Sequence, residues 1–385
     1  MYVKFFRCFR CGKTYLPKEV VSLPVMRCQK CGSAIDAEYD YDSIRKEILS
    51  DSFRRDAPTH WKYWPFLPVS DLSSLVTLGE GATPLLTQPL LTESTKASKL
   101  YIKYEAQNPT GSFKDRGSSL EITKTLEFGK KKVVVASTGN MGASIAAYAA
   151  FAGIECVVFV PDIAAHAKIA QIRAHGADVR VIDGDYSVAI KAAEDYVRTH
   201  GDSFLTGDYP WRCEGTKTVG FEILDQLYWK VPDYVIAPIG NGTLLWSLFE
   251  AFREMVCVGI TERIPRIAGV QAENCNPVVR AWESNAPTIE PVTDPETIAT
   301  AIACGNPIDG LAAFKAMQDS NGIGISVSDS EILDARDTLA RHGILVEPSG
   351  AVSYAGACKV RDTLAGKIVV CIATGHGLKD MFGWF

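Results

Sequence analysis

The sequence predicts an α/β fold built on parallel β-sheets. Short runs of buried, β-branched residues, such as 133–135 and 156–160, alternate with longer helical patterns from about residue 100 onward. Strands that alternate with helices at this spacing form right-handed βαβ units. The chain has 385 residues, of which 47% are hydrophobic, so it can form about two or three domains with cores of their own.

The predicted elements follow one another in order along the chain. The stretch 141–160 carries one charged residue and is interrupted at Gly153, which indicates a buried helix and a buried strand rather than a membrane span. The predicted strands lie at 133–135, 156–160, 179–182, 234–238, 267–271 and 368–373, and the predicted helices lie near 141–150, 164–174, 187–198, 244–255, 329–341 and 350–364.

Charge and cysteine usage limit the function classes. The net charge of −5 argues against a protein whose main partner is nucleic acid, because such a protein needs a basic surface. The first residues form no secretory apolar segment, so we expect a cytoplasmic protein. Seven cysteines share no spacing and are expected to be buried free thiols, which fits a reducing compartment. They are Cys156, Cys213, Cys257, Cys275, Cys304, Cys358 and Cys371.

Four further cysteines predict a metal site near the N-terminus. They form two C-x2-C pairs, Cys8 with Cys11 and Cys28 with Cys31, and a glycine follows each pair. A tetrahedral zinc ion takes four thiolates at about 2.3 Å, and each C-x2-C turn presents two sulfurs to one point. The spacing therefore predicts a structural zinc ribbon without a catalytic role, and chance clustering or a redox dithiol is the alternative.

Ligands of open α/β sheets bind outside the carboxyl ends of the parallel strands. Three polar turns follow predicted strands in this chain, at 137–140, 240–243 and 374–377. No G-x-G-x-x-G motif, Walker lysine, H-E-x-x-H or G-x-S-x-G motif occurs. We therefore expect the site at these three turns, and we expect a ligand other than a dinucleotide.

Lys114 is the first candidate catalytic residue. The segment 108–117 contains a Pro and a Gly that end one element, and Ser112 is a plausible N-cap for a following helix. Lys114 then lies in the first helical turn, where the helix dipole disfavours a protonated amine. A neutral amine is what Schiff-base chemistry requires. A lysine in a loop is more often a solvated surface charge, so this observation needs a second one.

The second observation is the segment 239–244, in which Gly240 and Gly242 precede a predicted helix. Such a turn directs backbone N–H groups and the positive end of a helix at one point, which suits a phosphate. A plain βα turn is the alternative. Pyridoxal 5′-phosphate needs a lysine for its aldehyde and a cup for its phosphate, so the two segments together suggest this cofactor.

With these motifs the chain resembles the threonine synthase family, within the tryptophan-synthase-β-like group of pyridoxal-phosphate enzymes. The resemblance covers nearly the whole chain, and the zinc ribbon also resembles that of many archaeal and bacterial members. The residues that carry it are 79–85, 108–117, 137–140, 240–243, 347–351 and 374–380.

The resemblance implies a role for each motif. Lys114 would form the Schiff base, Phe113 would pack near the ring, Asn140 would hydrogen-bond the ring oxygen and Thr374 would meet the ring nitrogen. The cofactor phosphate would be bound by Gly240, Asn241, Gly242, Thr243 and Leu244. The substrate would be bound by Ser137, Thr138, Arg212 and Lys217.

The implied reaction converts O-phospho-L-homoserine and water to L-threonine and phosphate, a carbon–oxygen lyase reaction on a phosphate. Many family members have an Asn-Ser pair where this chain has Thr206 and Gly207, and threonine where it has Met141. A paralogous enzyme is therefore the alternative, either a β-replacement synthase that uses O-phosphoserine or a dehydratase-type lyase. A non-catalytic protein that binds a partner through its ribbon is a third alternative, and the presence of Lys114, Asn140 and Thr374 argues against it.

The same resemblance implies the domain organisation. A zinc ribbon would occupy residues 1–50, a large α/β domain 51–127 and 205–385, and a small α/β domain 128–204. Both α/β domains would be open parallel sheets, with the cofactor in the cleft between them. Family members are often dimers, so the resemblance allows a homodimer. Its expected partner is a small amino acid substrate, with no nucleic acid and no membrane.

Overall fold

Three β-sheets organise the part of the chain that this computed structural model describes, which is residues 1–21, 23, 25–49, 59–137, 139–161, 166–184, 186–207, 210–286 and 288–381. The strands are β1 (Val3–Cys8), β2 (Thr14–Tyr15), β3 (Ile35–Tyr39), β4 (Leu85–Leu86), β5 (Lys99–Tyr104), β6 (Lys132–Ala136), β7 (Glu155–Pro161), β8 (Asp178–Ile182), β9 (Ser203–Leu205), β10 (Tyr234–Pro238), β11 (Arg266–Ala272), β12 (Ile323–Val327) and β13 (Ile368–Ala373).

Helices follow most of these strands. They are α1 (Pro17–Val21), α2 (Tyr41–Leu49), α3 (Pro89–Ser94), α4 (Lys114–Glu127), α5 (Asn140–Ala152), α6 (His166–Ala174), α7 (Tyr186–Thr199), α8 (Trp211–Thr216), α9 (Thr218–Gln226), α10 (Thr243–Cys257), α11 (Pro277–Glu283), α12 (Gly310–Asp319), α13 (Asp329–Arg341) and α14 (Pro348–Lys359). Short 3₁₀ segments occur at His60–Phe66, Leu72–Ser74, Glu105–Gln107, Thr300–Ile302 and Gly377–Lys379.

Packing divides the chain into two compact units. The first unit comprises Met1–Gly81 and Lys114–Thr218, and the second comprises Ala82–Phe113 and Val219–Phe385. These units differ from the expected domains. The expected large domain contains α4 and α8, whereas the structure has both helices in the first unit, where α4 packs against α8 and α5. The domain boundaries derived from the sequence stay a prediction.

The first unit contains two sheets. The N-terminal sheet has the strand order β2-β1-β3, and all its pairings are antiparallel. We call residues 3–39, which include this sheet, the ribbon. The second sheet has the order β8-β7-β6-β9 and is parallel throughout. Its central strand β6 is buried, as its run of three valines predicts.

The second unit contains a six-stranded sheet with the order β12-β11-β10-β13-β5-β4. All pairings are parallel except that of the edge strand β4 with β5. Its central strand β10 is buried at every position and pairs with β11 on one side and β13 on the other. The α/β fold with parallel sheets predicted from the alternating pattern is therefore confirmed.

The predicted strands are all present, the helix predicted at 329–341 has the bounds of α13, and the other predicted helices differ at their ends. The helix expected at 350–364 ends at Lys359, because turns at 360–366 then lead the chain into β13. The first residues of the helix expected at 164–174 lie outside the described residues. Strand β5 was not predicted, because Lys103 makes this segment polar in sequence although the side chain is fully buried beside Glu222.

None of the helices described is long and apolar enough to cross a membrane.

Candidate active site

The predicted site residues divide between the two units. The first unit holds Lys114, Ser137, Asn140, Arg212, Lys217 and the four ribbon cysteines. The second unit holds Phe113, Gly240, Asn241, Gly242, Thr243, Leu244 and Thr374. Thr138, expected in the substrate loop, lies outside the described residues.

Lys114 is the first residue of α4, so its amine is carried by the first helical turn as predicted. The next residue, Asp115, is fully buried and accepts a hydrogen bond from Ser144 Oγ at 2.6 Å. The carbonyl of Lys114 accepts a hydrogen bond from Arg212 Nη1 at 2.7 Å. The backbone around Lys114 is therefore fixed from two neighbouring helices.

The prediction of Ser112 as the N-cap of this helix was wrong. The helix begins two residues later, and Ser112 Oγ is buried with no hydrogen-bond partner among the described residues. Ser112 instead forms an isolated β-bridge with Gly375, and the N–H of Phe113 donates to the carbonyl of Thr374 at 3.0 Å. In the second unit, these contacts hold the end of segment 108–113 beside the turn that follows β13.

The loop before α5 is capped by a serine. Ser137 Oγ accepts hydrogen bonds from the N–H groups of Gly139 at 3.1 Å and Gly142 at 2.8 Å. Asn140, whose side chain is buried, is the first residue of α5. Since the Ser137 hydroxyl accepts both bonds, it fixes the loop and still has a proton to donate.

Lys168 was not singled out in the sequence, because it lies within an ordinary helical pattern. Its side chain is buried against Gly139, where a Cβ would lie 2.5 Å from Lys168 Cδ. The glycine therefore leaves the space that the lysine stem occupies. A buried cation beside the predicted substrate loop is a candidate anion contact that only the structure reveals.

The glycine loop before α10 is held by one aspartate. Asp309 Oδ2 accepts hydrogen bonds from Asn241 Nδ2 at 2.6 Å and from Thr243 Oγ1 at 2.9 Å. Gly242 has a φ of +111°, and a Cβ at this position would overlap the carbonyl oxygen of Asp309. The loop therefore requires glycine at 242, for its conformation and for its close approach to the 309 segment.

This loop fits a phosphate. The backbone N–H groups of residues 240–244 donate to no other group within the part of the chain that the structure describes. They lie at the N-terminus of α10, which spans 15 residues, so the positive end of its dipole adds to them. Unpaired amides at a helix N-terminus are suited to an anion. The observed backbone is thus compatible with the predicted phosphate cup.

Thr374 is the buried residue that follows β13. Its hydroxyl donates to the carbonyl of Ser349 with a long separation of 3.5 Å. The unpartnered hydroxyl of Ser112 belongs to the segment bridged to the neighbouring Gly375. This part of the second unit therefore contains two buried hydroxyl groups. The Thr374 hydroxyl makes one long hydrogen bond, and the Ser112 hydroxyl makes none with the described residues.

Arg212 is 2% exposed and lies in an internal network of the first unit. In addition to the Lys114 carbonyl, its guanidinium binds Ser118 Oγ at 3.2 Å and the carboxylate of Glu121. Glu121 Oε1 accepts a second hydrogen bond from the N–H of Gly207 at 2.5 Å. Arg212 Nε is buried and has no hydrogen-bond partner among the described residues. The predicted phosphate ligand is therefore already paired with a carboxylate.

Lys217 is fully buried beside the ribbon. Its ammonium lies 2.6 Å from Glu214 Oε2 and 4.3 Å from the centroid of the Tyr39 ring. Glu214 also accepts a hydrogen bond from Tyr39 Oη. The Lys217 ammonium therefore contacts a carboxylate of α8 and an aromatic residue of the ribbon.

The four ribbon sulfurs converge as predicted. All lie within 4.8 Å of one another, with Cys8 and Cys31 at 3.5 Å and Cys11 and Cys28 at 3.6 Å. A tetrahedral ion with bonds of about 2.3 Å requires sulfur separations of about 3.8 Å. The geometry therefore fits a zinc ion.

The two halves of this cluster have the same local conformation. The N–H of Gly12 donates to the carbonyl of Cys8 at 3.0 Å, and the N–H of Gly32 donates to that of Cys28 at 2.8 Å. Both glycines have a φ near +70°. The glycine after each cysteine pair is thus required by the turn.

The expectation of buried thiols elsewhere was wrong for Cys257, which is exposed at the end of α10.

The chain was compared with known proteins. Residues 76–375 match the family model for pyridoxal-phosphate dependent enzymes. The serine racemase of maize shares the fold, with a TM-score of 0.66, 22% identity and coverage of 78% of this chain and 90% of that one. The diaminopropionate ammonia lyase of Escherichia coli shares it at a TM-score of 0.68 and 19% identity, with coverage of 80% and 87%.

Two curated relatives match along almost their whole length. The threonine synthase of Methanosarcina acetivorans is 43% identical over 379 residues, which are 97% of this chain and 92% of the relative. The threonine synthase of Methanocaldococcus jannaschii is 40% identical over 381 residues, with the same coverage. The chain belongs to the pyridoxal-phosphate-dependent enzymes, and within them to the threonine synthase family.

Proposed function

We propose that the chain converts O-phospho-L-homoserine and water to L-threonine and phosphate, with Lys114 as the residue that carries pyridoxal 5′-phosphate. The observation that carries the proposal is the match to curated threonine synthases over 97% of the chain. As a member of this family, the chain is a pyridoxal-phosphate-dependent lyase that acts on a small amino acid substrate.

The site residues support the cofactor. The free amides of residues 240–244 suit its phosphate, and Lys114 provides the amine for its aldehyde. We assign the ring oxygen to Asn140, the ring nitrogen to the Thr374 hydroxyl and a packing role to Phe113. When bound, the cofactor withdraws electrons from the amino acid and so acidifies its Cα–H bond.

Lys114 would then move the protons of the reaction. Once the substrate amine has displaced it from the cofactor, the Lys114 amine would take a proton from Cα and then one from Cβ, and phosphate would leave from Cγ. Lys114 would then return protons to Cγ and Cα, while water would add its hydroxyl group at Cβ and release its second proton to the departing phosphate. One base would suffice, because these carbons would present their protons on one face of a planar conjugated system. The contacts of Asp115 and Arg212 around Lys114 hold its backbone during these transfers.

The observations support the proposed substrate-binding residues to different degrees. Ser137 and Thr138 would bind the carboxylate at the N-terminus of α5, where the helix dipole favours an anion. Arg212 stays the proposed phosphate ligand, and its Nε, which has no hydrogen-bond partner among the described residues, is the donor proposed for it. Lys217 stays a prediction from the family motif, although its contacts with Glu214 and Tyr39 favour a role in holding the ribbon.

We also propose that the ribbon binds one structural zinc ion through Cys8, Cys11, Cys28 and Cys31. The sulfur separations of 3.5 and 3.6 Å support a closed tetrahedral site with no position open for substrate. Metal analysis of the purified chain should give one zinc per chain, and a Cys8→Ser, Cys28→Ser variant should give almost none. Full zinc content in that variant would contradict the assignment.

A cytoplasmic location and a homodimer complete the proposal. The described residues include all eleven cysteines and form no disulfide between them, which suits a reducing compartment. Enzymes of this family are often dimers, and light scattering after size-exclusion chromatography tests the oligomeric state.

A phosphate-release assay tests the function. Cofactor-loaded enzyme receives O-phosphohomoserine and O-phosphoserine in parallel, and the amino acid products are identified by mass spectrometry. We expect phosphate and threonine from the first substrate and little turnover of the second. Turnover of O-phosphoserine alone would instead identify a β-replacement enzyme on the same scaffold.

A further inference from the structure

The ribbon packs against one face of helix α8. The rings of Phe6 and Trp211 meet edge to face with their centroids 5.4 Å apart, and the Trp211 indole N–H donates to Met26 Sδ at 2.6 Å. Tyr39 Oη donates to the carboxylate of Glu214. Trp211 and Glu214 lie three residues apart and so share one face of the helix. The ribbon therefore contacts α8 at two successive turns.

Buried charge strengthens this contact. Glu214 pairs with the fully buried Lys217, and the Lys217 ammonium lies over the Tyr39 ring at 4.3 Å. A buried ion pair depends on every hydrogen bond that satisfies it, since removal of one partner leaves an uncompensated charge. Tyr39 thus supplies both a donor to the carboxylate and a ring face to the ammonium.

Arg212 lies between Trp211 and Glu214 and extends from α8 toward α4, the helix that begins with Lys114. Arg212 Nη1 donates to the Lys114 carbonyl at 2.7 Å, and its Nη2 binds Ser118 and Glu121 of α4. The space that Arg212 occupies exists because Gly117 has no side chain, and a Cβ there would lie 2.7 Å from Arg212 Cδ. Arg212 therefore ties α8 to the first two turns of α4.

The two helices are also in backbone contact. A Cβ on Gly215 would overlap the carbonyl oxygen of Arg116 and lie 2.8 Å from the Cα of Gly117. Helices that pack this closely cannot move past each other without loss of contact. A displacement of α8 must therefore displace the first turn of α4, where Lys114 lies.

We propose that the ribbon positions Lys114 for reaction through α8, with Tyr39 and Glu214 as positioning residues. This inference rests on the proposed function of Lys114 and adds to it a role for a segment that carries no reacting group. A misplacement of about 1 Å at a reacting group can lower a rate about a hundredfold, so a small shift of α8 suffices for a measurable effect.

The proposed metal enters the same chain of contacts. Cys8 ends β1 and pairs with Ile35, the first residue of β3, whereas Tyr39 is the last residue of β3 and pairs with Val3 at the other end of the two strands. A metal ion bound to Cys8 holds the end of β1 in place and so supports the strand that carries Tyr39. Loss of the metal should therefore change the position of Lys114 through Tyr39 and Glu214, although the proposed metal site has no position open for substrate.

A matched pair of tyrosine variants tests the proposal. Tyr39→Phe removes the hydroxyl that binds Glu214 of α8, whereas Tyr2→Phe removes a hydroxyl that binds Glu47 of α2 at 3.1 Å. For Tyr39→Phe we expect kcat to fall about tenfold with little change in KM, and the visible circular dichroism of the bound cofactor to change. Tyr2→Phe should match the wild type in both measurements.

Glu214→Gln is the second variant, because it keeps the side-chain shape and weakens the same contact. It should change the circular dichroism in the same direction as Tyr39→Phe, with zinc content and cofactor content unchanged. Wild-type kcat and circular dichroism in both variants would overturn the proposal.

Metal removal supplies an independent test. Zinc is extracted with a chelator from the wild type and from Tyr39→Phe, and the circular dichroism of the bound cofactor is measured again. We expect a large change in the wild type and a smaller one in the variant, since both perturbations act on one connection and do not add. Equal changes in both, or no change in either, would contradict the coupling.

These measurements separate the inference from the proposed function. The circular dichroism needs only the cofactor bound at Lys114 and no substrate. Failure to convert O-phosphohomoserine would count against the proposed substrate and leave the coupling measurable. Normal turnover with an insensitive cofactor signal would support the proposed function and reject the coupling.

Discussion

Glu80 and His60 form a fully buried pair in the first unit, with Glu80 Oε1 3.0 Å from His60 Nε2. Tyr148 Oη donates to Glu80 Oε2 at 2.7 Å. Burial by itself raises the pKa of Glu80, but the hydrogen bond and charge of His60, together with Ser119 and Tyr148, lower that pKa to about 2. The ionised carboxylate is thus strongly favoured in the folded state.

Glu80→Gln should destabilise the protein in a pH-dependent manner. Because the folded-state pKa lies below the usual 4.5, the ionised group stabilises the fold above pH 4.5, and this stabilisation is lost as the pH falls toward 2. The shift corresponds to about 3 kcal/mol at neutral pH. We expect the Tm of the variant to lie below that of the wild type at neutral pH, with a difference that shrinks below pH 4.5.

Calorimetry over this pH range measures the effect, and Glu262→Gln, at an exposed position, is the control. A Tm difference for Glu80→Gln that stays constant down to pH 3 would contradict a depressed pKa for Glu80.

Lys114→Ala should abolish activity and the covalent attachment of the cofactor. In the proposed mechanism this amine binds the cofactor aldehyde and moves the protons, and alanine offers no amine for either step. Borohydride reduction of the wild type followed by peptide mapping should find the cofactor on the peptide that contains Lys114. Lys131→Ala, which removes an exposed lysine, should retain both labelling and turnover. Labelling of a different lysine would refute the assignment.

Gly242→Ala should weaken cofactor binding by at least about tenfold. Alanine is strained at a φ of +111°, and its Cβ would overlap the Asp309 carbonyl, so the amides of the phosphate loop must move. The dissociation constant is measured by fluorescence titration of the apoenzyme. Gly343→Ala is the matched control, because Gly343 also has a positive φ, +82°, but faces open space. Equal losses in the two variants would mean that strain alone is responsible.

Arg212→Ala and Glu121→Gln should have opposite effects on phosphate recognition. Arg212→Ala removes a charged donor, and at about 1.5–3 kcal/mol per such bond it should raise KM for O-phosphohomoserine roughly ten- to a hundredfold. Glu121→Gln leaves an acceptor for the Gly207 N–H but removes the charge that neutralises Arg212. Inorganic phosphate should therefore inhibit this variant more strongly than the wild type.

Initial-rate kinetics with phosphate as the inhibitor measure both effects. If Arg212→Ala leaves KM unchanged, then Arg212 does not bind the substrate phosphate. If Glu121→Gln leaves phosphate inhibition unchanged, the ion pair does not limit the affinity of the site.

Local patterns predicted most of the fold. Runs such as Val133–Val135 are buried strands in any context that covers both faces, so their alternation with helices was sufficient for the parallel sheets. Strand β5 was missed because its buried Lys103 depends on Glu222, more than a hundred residues away in the sequence. The N-cap at Ser112 was wrong because the segment bridges to Gly375 instead, a contact that no local pattern encodes.

Four features could be predicted from local patterns: the fold class, the position of Lys114 in the first turn of a helix, the glycine loop before α10 and the two C-x2-C turns. Each depends on residues that are close together along the chain. The partners of the buried charges could not be predicted in this way. Arg212 pairs with Glu121 and Lys217 with Glu214 and Tyr39, since a buried charge takes whichever opposite charge the packing of distant helices brings within reach.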